Sequence, residues 1–261
     1  MKNYMKELYG KKNIYLAGDT HYPRGKRSKF LQVLNKIEND SNALMIGMGD
    51  WIEGISHTDP RYHPEETANI VKLADENMNM LDVQWDMFEN DIKSVSDKVI
   101  GLHSGNHGGN LIKRYNMNIL RSICKRNNIE YLDDGIAIFE FKSGDNVVKM
   151  MTTHGIGGGL QPGFAYNKID RYADIFGDMD IVAAGHTHKL GVNLAIAPIQ
   201  IKNGEMKQKV QHHCSCGSFL CNYLDNISTY GERNLYQPLP MGYVVIEMDD
   251  CEIKSVKAIP V

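Results

Sequence analysis

The chain has 261 residues, of which 42% are hydrophobic and 23% are charged, and its formal net charge is −3. This composition is that of an ordinary globular protein and excludes a disordered, collagen-like or coiled-coil chain. No apolar run approaches the roughly 18 residues that span a bilayer, and the polar N-terminus is no secretory signal, so we expect no membrane partner. The five cysteines are odd in number and lack a repeated spacing. We therefore expect no disulfide framework and a cytoplasmic location.

Short apolar runs alternate with amphipathic stretches in the first half of the chain. We predict strands there at 13–17, 43–48 and 99–102, with helices at 30–37 and 111–126. In the second half we predict strands with fewer helices between them, at 136–141, 147–153, 181–184, 194–201 and 243–248. This order predicts an α/β fold in which the amount of strand requires a second sheet or one very wide mixed sheet.

The segment at about 54–97 differs from the rest in charge and pattern. Eleven acids and three bases fall between Glu53 and Asp97, so this stretch carries −8 and the remainder of the chain +5. We expect one domain over 1–261 in which this segment is an acidic helical insertion, with helices at about 65–80 and 81–97. Two roles stay open for it, a plain helical connection and a cap that shapes access to a site.

Polar side chains that bind metals follow the predicted strands at five places. The turns contain Asp19-Thr20-His21, Gly49-Asp50 with Glu53, Gly105-Asn106-His107, Thr153-His154-Gly155 and Gly185-His186-Thr187-His188. Loops at the carboxyl ends of strands share one rim of an α/β sheet, where ligands usually bind. Five of the ten histidines fall in these turns, so the joint pattern is much more specific than any single member.

The residue types in these turns have a consistent chemistry. Histidine together with carboxylate suits first-row metals such as manganese, iron or zinc better than magnesium alone. In Asp-x-His and His-x-His, alternate side chains of an extended backbone lie on one side and can reach one cluster. A carboxylate can also bridge two cations about 3.5–4 Å apart, which suits in-line attack on phosphorus.

In their order along the chain, these five motifs resemble those of the calcineurin-like metallophosphoesterase superfamily. The match covers about residues 13–188. The resemblance implies a two-sheet β-sandwich flanked by helices, a four-layer αββα architecture. It also implies a metal-dependent phosphoesterase with two divalent ions, Mn²⁺ first and Zn²⁺, Fe²⁺ or Ni²⁺ as alternatives.

The resemblance also implies roles for individual residues. Ligands of the first metal would be Asp19, His21 and His188, and Asp50 would bridge the two ions. Ligands of the second metal would be Asn106, His154 and His186. His107 matches the catalytic histidine, which protonates the leaving group or stabilises the charged transition state, and Glu53 would support the ligands.

One position departs from the family pattern. The family usually has Glu or Asp directly after the Asn-His pair, and this chain has Gly108. That acid is not generally a ligand, so we expect the metals to be retained, and the question concerns how His107 is oriented. The implied reaction is attack on phosphorus by a hydroxide that bridges the metals, without a covalent phospho-enzyme.

Basic residues follow two of the motifs and bear on the choice of substrate. The candidates for holding phosphates are Arg24, Lys26, Arg27, Lys113 and Arg114. They favour a phosphodiesterase acting on DNA, RNA or nucleotides, similar to the DNA-repair nuclease branch of the family. Two alternatives stay open, a phosphomonoesterase or a cyclic-nucleotide phosphodiesterase, while a catalytically inactive metal-bound scaffold is disfavoured by the intact motifs.

Three further features have competing interpretations. The run His212-His213-Cys214-Ser215-Cys216 could hold a separate zinc, but we favour a buried strand and loop. For Trp51 and Trp85 we favour core packing over base stacking. Tyr230 and Arg233 lie in a polar loop after Gly217-Ser218, where packing at the surface is favoured over contact with a substrate.

Overall fold

The computed structural model describes residues 1–54, 62, 79–157, 163–196, 199–202, 204–226 and 228–261. The strands are β1 (Lys2–Glu7), β2 (Lys11–Ala17), β3 (Ala43–Gly47), β4 (Val99–His103), β5 (Glu130–Asp133), β6 (Ile136–Ser143), β7 (Asn146–Thr153), β8 (Ile181–Ala184), β9 (Leu190–Ile196), β10 (Gln200–Lys202), β11 (Glu205–Lys207), β12 (Val210–Cys216), β13 (Gly242–Asp249) and β14 (Glu252–Pro260). The helices are α1 (Arg27–Asn39), α2 (Met80–Ile92), α3 (Gly105–Tyr115), α4 (Ile119–Arg126), α5 (Phe164–Ile175) and α6 (Tyr230–Arg233), with a 3-10 helix at Lys93–Lys98.

Two six-stranded sheets form the centre of the fold. The first has the order β14-β13-β2-β3-β4-β5, with β2 to β5 parallel and β13 antiparallel to both of its neighbours. The second has the order β1-β6-β7-β8-β12-β9, in which β7, β8 and β12 are parallel. The carboxyl ends of β2, β3 and β4 therefore lie at one edge, which places the turns that follow them together.

Alternate residues of β2 show how the layers are assembled. Ile14 and Leu16 are buried between the two sheets, whereas Tyr15 and Ala17 are buried on the outer face of the first sheet against α1 and α2. The second sheet is covered on its outside by α5. Both faces of each sheet are thus covered by apolar contacts, and the predicted two-sheet sandwich flanked by helices is confirmed.

The helix predicted over 111–126 is wrong in one respect, because the structure has two helices there. Asn116 adopts a left-handed conformation with φ of 53° and ends α3. The side chain of Asn118 then accepts a hydrogen bond from the Arg121 amide at 3.1 Å and begins α4. The strand predicted at 194–201 is likewise divided between β9 and β10.

The described part of the acidic segment forms α2 and the 3-10 helix, as the prediction for 81–97 requires. Asn79 caps α2 by accepting hydrogen bonds from the amides of Leu81 and Asp82. The helix predicted at 65–80 lies outside the described residues, apart from its last two positions. Across the residues that the structure describes, we find no helix with the length and apolarity needed to cross a membrane.

Candidate metal centre

The strand-end turns converge on one rim of the sandwich. The structure brings together all seven predicted ligands, the predicted catalytic histidine and the predicted supporting acid: Asp19, His21, Asp50, Glu53, Asn106, His107, His154, His186 and His188. They come from turns after β2, β3, β7 and β8 and from the start of α3 after β4. The parallel arrangement of these strands is what gathers residues so distant in sequence.

The first cluster consists of Asp19, His21 and His188. The Nε2 atoms of His21 and His188 lie 3.0 Å apart. Asp19 Oδ1 lies 3.2 Å from His188 Nε2 and 3.7 Å from His21 Nε2. Ligands about 2.1 Å from a shared cation lie about 3–3.5 Å from one another, so these separations match a metal site.

The second cluster is formed by Asp50, Asn106, His154 and His186. His154 Nε2 lies 3.1 Å from Asp50 Oδ2 and 2.9 Å from Asn106 Oδ1. It also lies 3.2 Å from His186 Nδ1. Four potential donors to a metal from four different turns thus surround a single point.

The two clusters adjoin each other. The His186 amide donates a hydrogen bond to Asp19 Oδ2 at 3.0 Å, so a residue of the second cluster holds the carboxylate of the first. Asp50 also groups with His21 and His107 at metal-ligand spacing, which places it between the clusters. This position is the one that the predicted bridging role requires.

The backbone at the rim is strained at five of the seven predicted ligands. Their φ angles lie in the left-handed region, at 50° for Asp19, 47° for His21, 50° for Asp50, 66° for His186 and 57° for His188. Residues other than glycine rarely adopt this region, and such outliers cluster at functional sites. Each of these five residues lies within a few residues of the end of its strand.

Two glycines allow the turns to pack this closely. Gly49 has φ of 98°, and a Cβ there would lie 2.7 Å from His154 Nδ1. Gly105 has φ of 78°, and a Cβ there would overlap the backbone and carboxylate of Asp50. A larger residue at either position would push a predicted ligand out of place.

Glu53 is buried and connects the first cluster to a cation. Its Oε2 accepts a hydrogen bond from His21 Nδ1 at 2.9 Å, and its Oε1 accepts one from Arg24 at 2.8 Å. Burial works to raise the pKa of Glu53, but the nearby His107 and His21 outweigh it and keep that pKa well below its usual range. Because the carboxylate accepts from Nδ1, Nε2 is the nitrogen of His21 that faces the cluster.

The donor set fits divalent metal ions. Asp19 Oδ1 is fully buried and has no hydrogen-bond partner. His154 Nδ1 donates to the Met48 carbonyl at 2.8 Å, so its Nε2 is the nitrogen that faces two oxygens and the His186 nitrogen. These oxygen and nitrogen atoms are spaced as the ligands of a shared cation are. A mixture of carboxylate, amide oxygen and imidazole suits manganese, iron or zinc.

The orientation of His107 does not depend on an acid at position 108. His107 Nδ1 donates to the Glu53 carbonyl at 2.6 Å, and its amide donates to Asp50 Oδ1 at 2.9 Å. A Cβ on Gly108 would lie 2.6 Å from Oγ of Ser104, the residue that precedes α3. The main chain of the β3 turn therefore orients the imidazole, and its Nε2 lies 3.8 Å from Asp50 Oδ2.

A cavity of about 280 Å³ opens beside the centre. One side consists of rim residues, including His21, Asp50 and His107. The other residues that line it, apart from Arg24, were not among the predicted site residues: Thr187, Lys189, Leu220, Asn222, Tyr230, Tyr236, Gln237 and Leu239. Thr187 and Lys189 flank His188, so the histidine motif itself could have indicated them.

Of the five predicted phosphate contacts, only Arg24 is among the residues that line this cavity. Lys26 is exposed, and Arg27 forms an ion pair of 2.6 Å with Asp91. Lys113 and Arg114 are exposed in the last turn of α3, at the opposite end of that helix from Asn106. Contact between these four side chains and a substrate stays a prediction.

The remaining predictions concern packing. Trp51 and Trp85 are buried, and Trp51 stacks on Phe88 with ring centroids 4.7 Å apart. The run at 212–216 lies in the buried strand β12, and the metal-ligand groups found among the described residues do not include it. Tyr230, for which surface packing was favoured, lines the cavity instead.

No protein-family model and no curated protein matches the chain. Among solved structures, the chain is similar to a conserved protein of Streptococcus pneumoniae TIGR4 described as a predicted phosphoesterase, with 14% identity and a TM-score of 0.41 over 97% of this chain and 91% of that one. It is similar to Vps29 of Entamoeba histolytica complexed with zinc, with 14% identity and a TM-score of 0.43 over 95% and 98%. It is also similar to the NAD nucleotidase of Haemophilus influenzae, with 11% identity and a TM-score of 0.46 over 96% of this chain and 50% of that one.

Proposed function

We propose that this chain is a dinuclear metal-dependent phosphoester hydrolase, and specifically a phosphodiesterase acting on nucleotides or nucleic acid. The observation that carries the proposal is the pair of adjoining donor clusters, with Asp50 between them. A cluster of donors this dense is costly to bury unless cations neutralise it. Two adjacent cations are the arrangement that phosphoester hydrolysis uses widely.

The proposed ligands divide as the family resemblance implies. Asp19, His21 and His188 would hold one ion, and Asn106, His154 and His186 would hold the other, with Asp50 shared. When bound, the ions would lower the pKa of water and neutralise charge on the phosphoryl oxygens. The protein's part is to hold these donors rigidly, which the buried hydrogen bonds around Glu53 and Met48 support.

His107 is the proposed proton donor to the leaving group. Its Nδ1 donates to the Glu53 carbonyl, and its Nε2 lies 3.8 Å from Asp50 Oδ2, with both residues lining the cavity. In its protonated form, His107 would donate from Nε2 to the leaving oxygen as the bond to phosphorus breaks. A hydrogen bond from the same atom would also stabilise charge on the phosphoryl group.

A phosphomonoesterase is the second candidate, and the cations of the cavity favour it. Arg24 and Lys189 both line the cavity beside the clusters. A phosphomonoester carries about one more negative charge near neutral pH than a diester, and cations next to the centre would offset that charge. The two candidates differ in whether the phosphorus carries one ester group or two.

A substrate panel across metals tests the proposal. Metal-depleted protein is reloaded with manganese, zinc, iron, nickel or magnesium and assayed on bis-p-nitrophenyl phosphate and p-nitrophenyl phosphate. Single-stranded DNA, duplex DNA, RNA and cyclic nucleotides complete the panel. We expect the highest turnover on diesters, with two ions bound per chain by elemental analysis.

Each other outcome has a defined meaning. Faster hydrolysis of the monoester favours the second candidate. A protein that binds two ions and is inert toward every phosphoester class overturns the enzymatic proposal. The variant His107→Gln serves as the matched control, since it should retain both ions and lose about 10²- to 10³-fold in turnover.

A further inference from the structure

The wall of the cavity that faces the metal-ligand clusters has no role in the proposed chemistry. It is formed by Leu220, Asn222, Tyr230, Tyr236, Gln237 and Leu239, which we call the tyrosine wall. These residues come from the segment between β12 and β13, including α6. The cavity therefore has an ionic side and a mainly apolar side that carries two aromatic rings.

Backbone hydrogen bonds attach the tyrosine wall to the turn that carries Asp19. The Phe219 amide donates to the Asp19 carbonyl at 3.0 Å, and the Lys26 amide donates to the Phe219 carbonyl at 2.8 Å. Backbone pairing between Gly25 and Leu220 extends this contact. The start of the wall is therefore held in register with the metal-ligand turn, so whatever binds to one side is positioned against the other.

The shape of the wall suits a flat ring. The rings of Tyr230 and Tyr236 lie edge to face, with centroids 6.0 Å apart and an interplanar angle of 86°. Both side chains are partly buried, and burial together with the neighbouring Tyr230 raises the pKa of Tyr236. An inserted ring can stack on one tyrosine and meet the edge of the other.

The remaining groups of the wall are two leucines and two amides. Leu220 and Leu239 add apolar surface, while Asn222 and Gln237 each offer a donor and an acceptor. Heterocyclic bases present donors and acceptors at their edges and apolar faces above and below the ring. Ligand cavities usually span about 300–1,000 Å³, so a cavity of about 280 Å³ suits one nucleotide-sized unit rather than a longer segment.

We infer that the tyrosine wall binds one nucleobase of the phosphoester substrate, with Tyr230 and Tyr236 contacting the ring while its phosphate lies at the metal-ligand clusters. This inference rests on the proposed function and narrows it to substrates in which a base is attached near the scissile phosphate. The base belongs either to a single nucleotide or to one end of a single strand. Both sources present the same chemistry to the wall.

Comparing a ligand that carries a base with one that lacks it separates the affinity due to the tyrosine wall from the affinity due to the metal centre. Metal-loaded protein is titrated with adenosine 5′-monophosphate and with ribose 5-phosphate, by calorimetry and as inhibitors of bis-p-nitrophenyl phosphate hydrolysis. We expect the nucleotide to bind more tightly, because only it carries a base. In Tyr230→Leu and Tyr236→Leu this preference should fall by about 5- to 100-fold, the usual effect of losing one base–aromatic stack.

Three further variants control for structure. Tyr230→Phe and Tyr236→Phe keep the ring and should keep the preference. Tyr9→Leu removes an exposed tyrosine at the opposite end of β2 and should change nothing. Circular dichroism verifies that each variant is folded, and the two separate leucine variants allow the test even when one of them does not fold.

The outcomes distinguish this inference from the proposed function. If the wild type hydrolyses phosphoesters but binds the two ligands equally, or if the leucine variants keep the preference, the inference is overturned and the proposed function stands. If the wild type is inert, calorimetry still measures the preference for a base. Two substrates identify the source of the base. If the leucine variants impair hydrolysis of a mononucleoside diester alone, the base belongs to a single nucleotide. If they impair hydrolysis of a short single-stranded oligonucleotide equally, the ends of single strands are also a source.

Discussion

The metal-ligand rim and the interior between the two sheets are adjacent, yet they bury different kinds of side chain. Met48 is fully buried against apolar neighbours from both sheets, and Asp50, two residues later, is equally buried among histidines. The interior has regular strands, whereas predicted ligands at the rim have left-handed backbone. One region gains free energy by excluding water, and the other concentrates carboxylates and imidazoles that bound cations would stabilise.

This contrast indicates how substitutions in the two regions should be measured. A change at the rim should appear first in turnover and metal content. A change in the interior should appear first in the free energy of unfolding. The predictions below test that separation, beginning with the largest expected effect.

Asp50→Asn should have the largest effect. Asp50 lies between the two clusters, and the amide has a similar size but lacks the negative charge that two cations would share. Loss of several kcal/mol of transition-state stabilisation corresponds to a fall in kcat of about 10³-fold or more. The measurements are kcat on bis-p-nitrophenyl phosphate and metal content per chain. Full turnover with two bound metals would refute the bridging role.

Phe139→Ala tests the interior. Phe139 is 1% exposed and stacks on Tyr4 and Phe141, with ring centroids 5.2 Å and 5.8 Å away. We expect the free energy of unfolding to fall by about 3–5 kcal/mol in urea, because the truncation leaves a cavity. Ile175→Ala, at a residue 67% exposed, is the control and should change it by less than about 0.5 kcal/mol. Equal effects of the two variants would contradict the interior's role in stability.

His103 gives a pH-dependent test just below the rim. This histidine is fully buried, and burial, followed by the charge of His154, lowers its pKa to about 3. The unfolded chain takes up a proton near pH 6.5 that the folded protein does not, so stability is lost as pH falls below about 6.5. At pH 5 the loss is about 2 kcal/mol relative to pH 8.

The contribution of His103 is isolated by comparison with a variant. Urea unfolding at pH 5 and pH 8 is measured for the wild type and for His103→Gln, which cannot titrate in this range. The variant should lose less stability between the two pH values, by about 2 kcal/mol. An identical loss in both proteins would show that His103 is charged in the folded state.

Charge reversal at Lys26 should have the smallest effect. It tests whether the surface that binds substrate extends beyond the cavity. Lys26 is exposed and does not line the described cavity, but it follows the Asp-x-His turn. If it contacts a backbone phosphate, Lys26→Glu, alone and with Arg27→Glu, weakens oligonucleotide binding and reduces the salt slope by about 0.7 per lost contact. Lys11→Glu, at the opposite end of β2, is the control. An unchanged slope would count against a nucleic-acid path outside the cavity.

The metal-ligand turns could be predicted because each predicted ligand follows a buried strand within a few residues. Asp19 is two residues beyond β2, and His154 directly follows β7. The left-handed φ angles at five of the seven predicted ligands, Asp19 among them, could not be read from the sequence. The orientation of His107 could not be predicted either. Gly108 replaces the acid that usually follows the Asn-His pair, and the group that orients His107 is a backbone carbonyl 54 residues away.

For the basic residues, closeness in sequence to a predicted ligand did not predict closeness to the cavity. Lys113 is seven residues beyond Asn106, and α3 carries it about 10 Å along the helix axis from that ligand. Tyr230 and Tyr236 reach the cavity from a segment with no periodic pattern. The start of that segment is joined to the rim by the backbone hydrogen bond from Phe219 to Asp19, for which the side-chain sequence contains no signal.

The indole of Trp51 supplies an optical probe next to the centre. Trp51 directly follows Asp50, is 1% exposed, and donates from its ring nitrogen to the His103 carbonyl at 2.8 Å. An emission spectrum is sensitive to this hydrogen bond and to water around the ring. The chain has only two tryptophans, so a Trp85→Phe variant would leave Trp51 as its one indole, which would report rearrangement of the β3 turn on metal loading without a label.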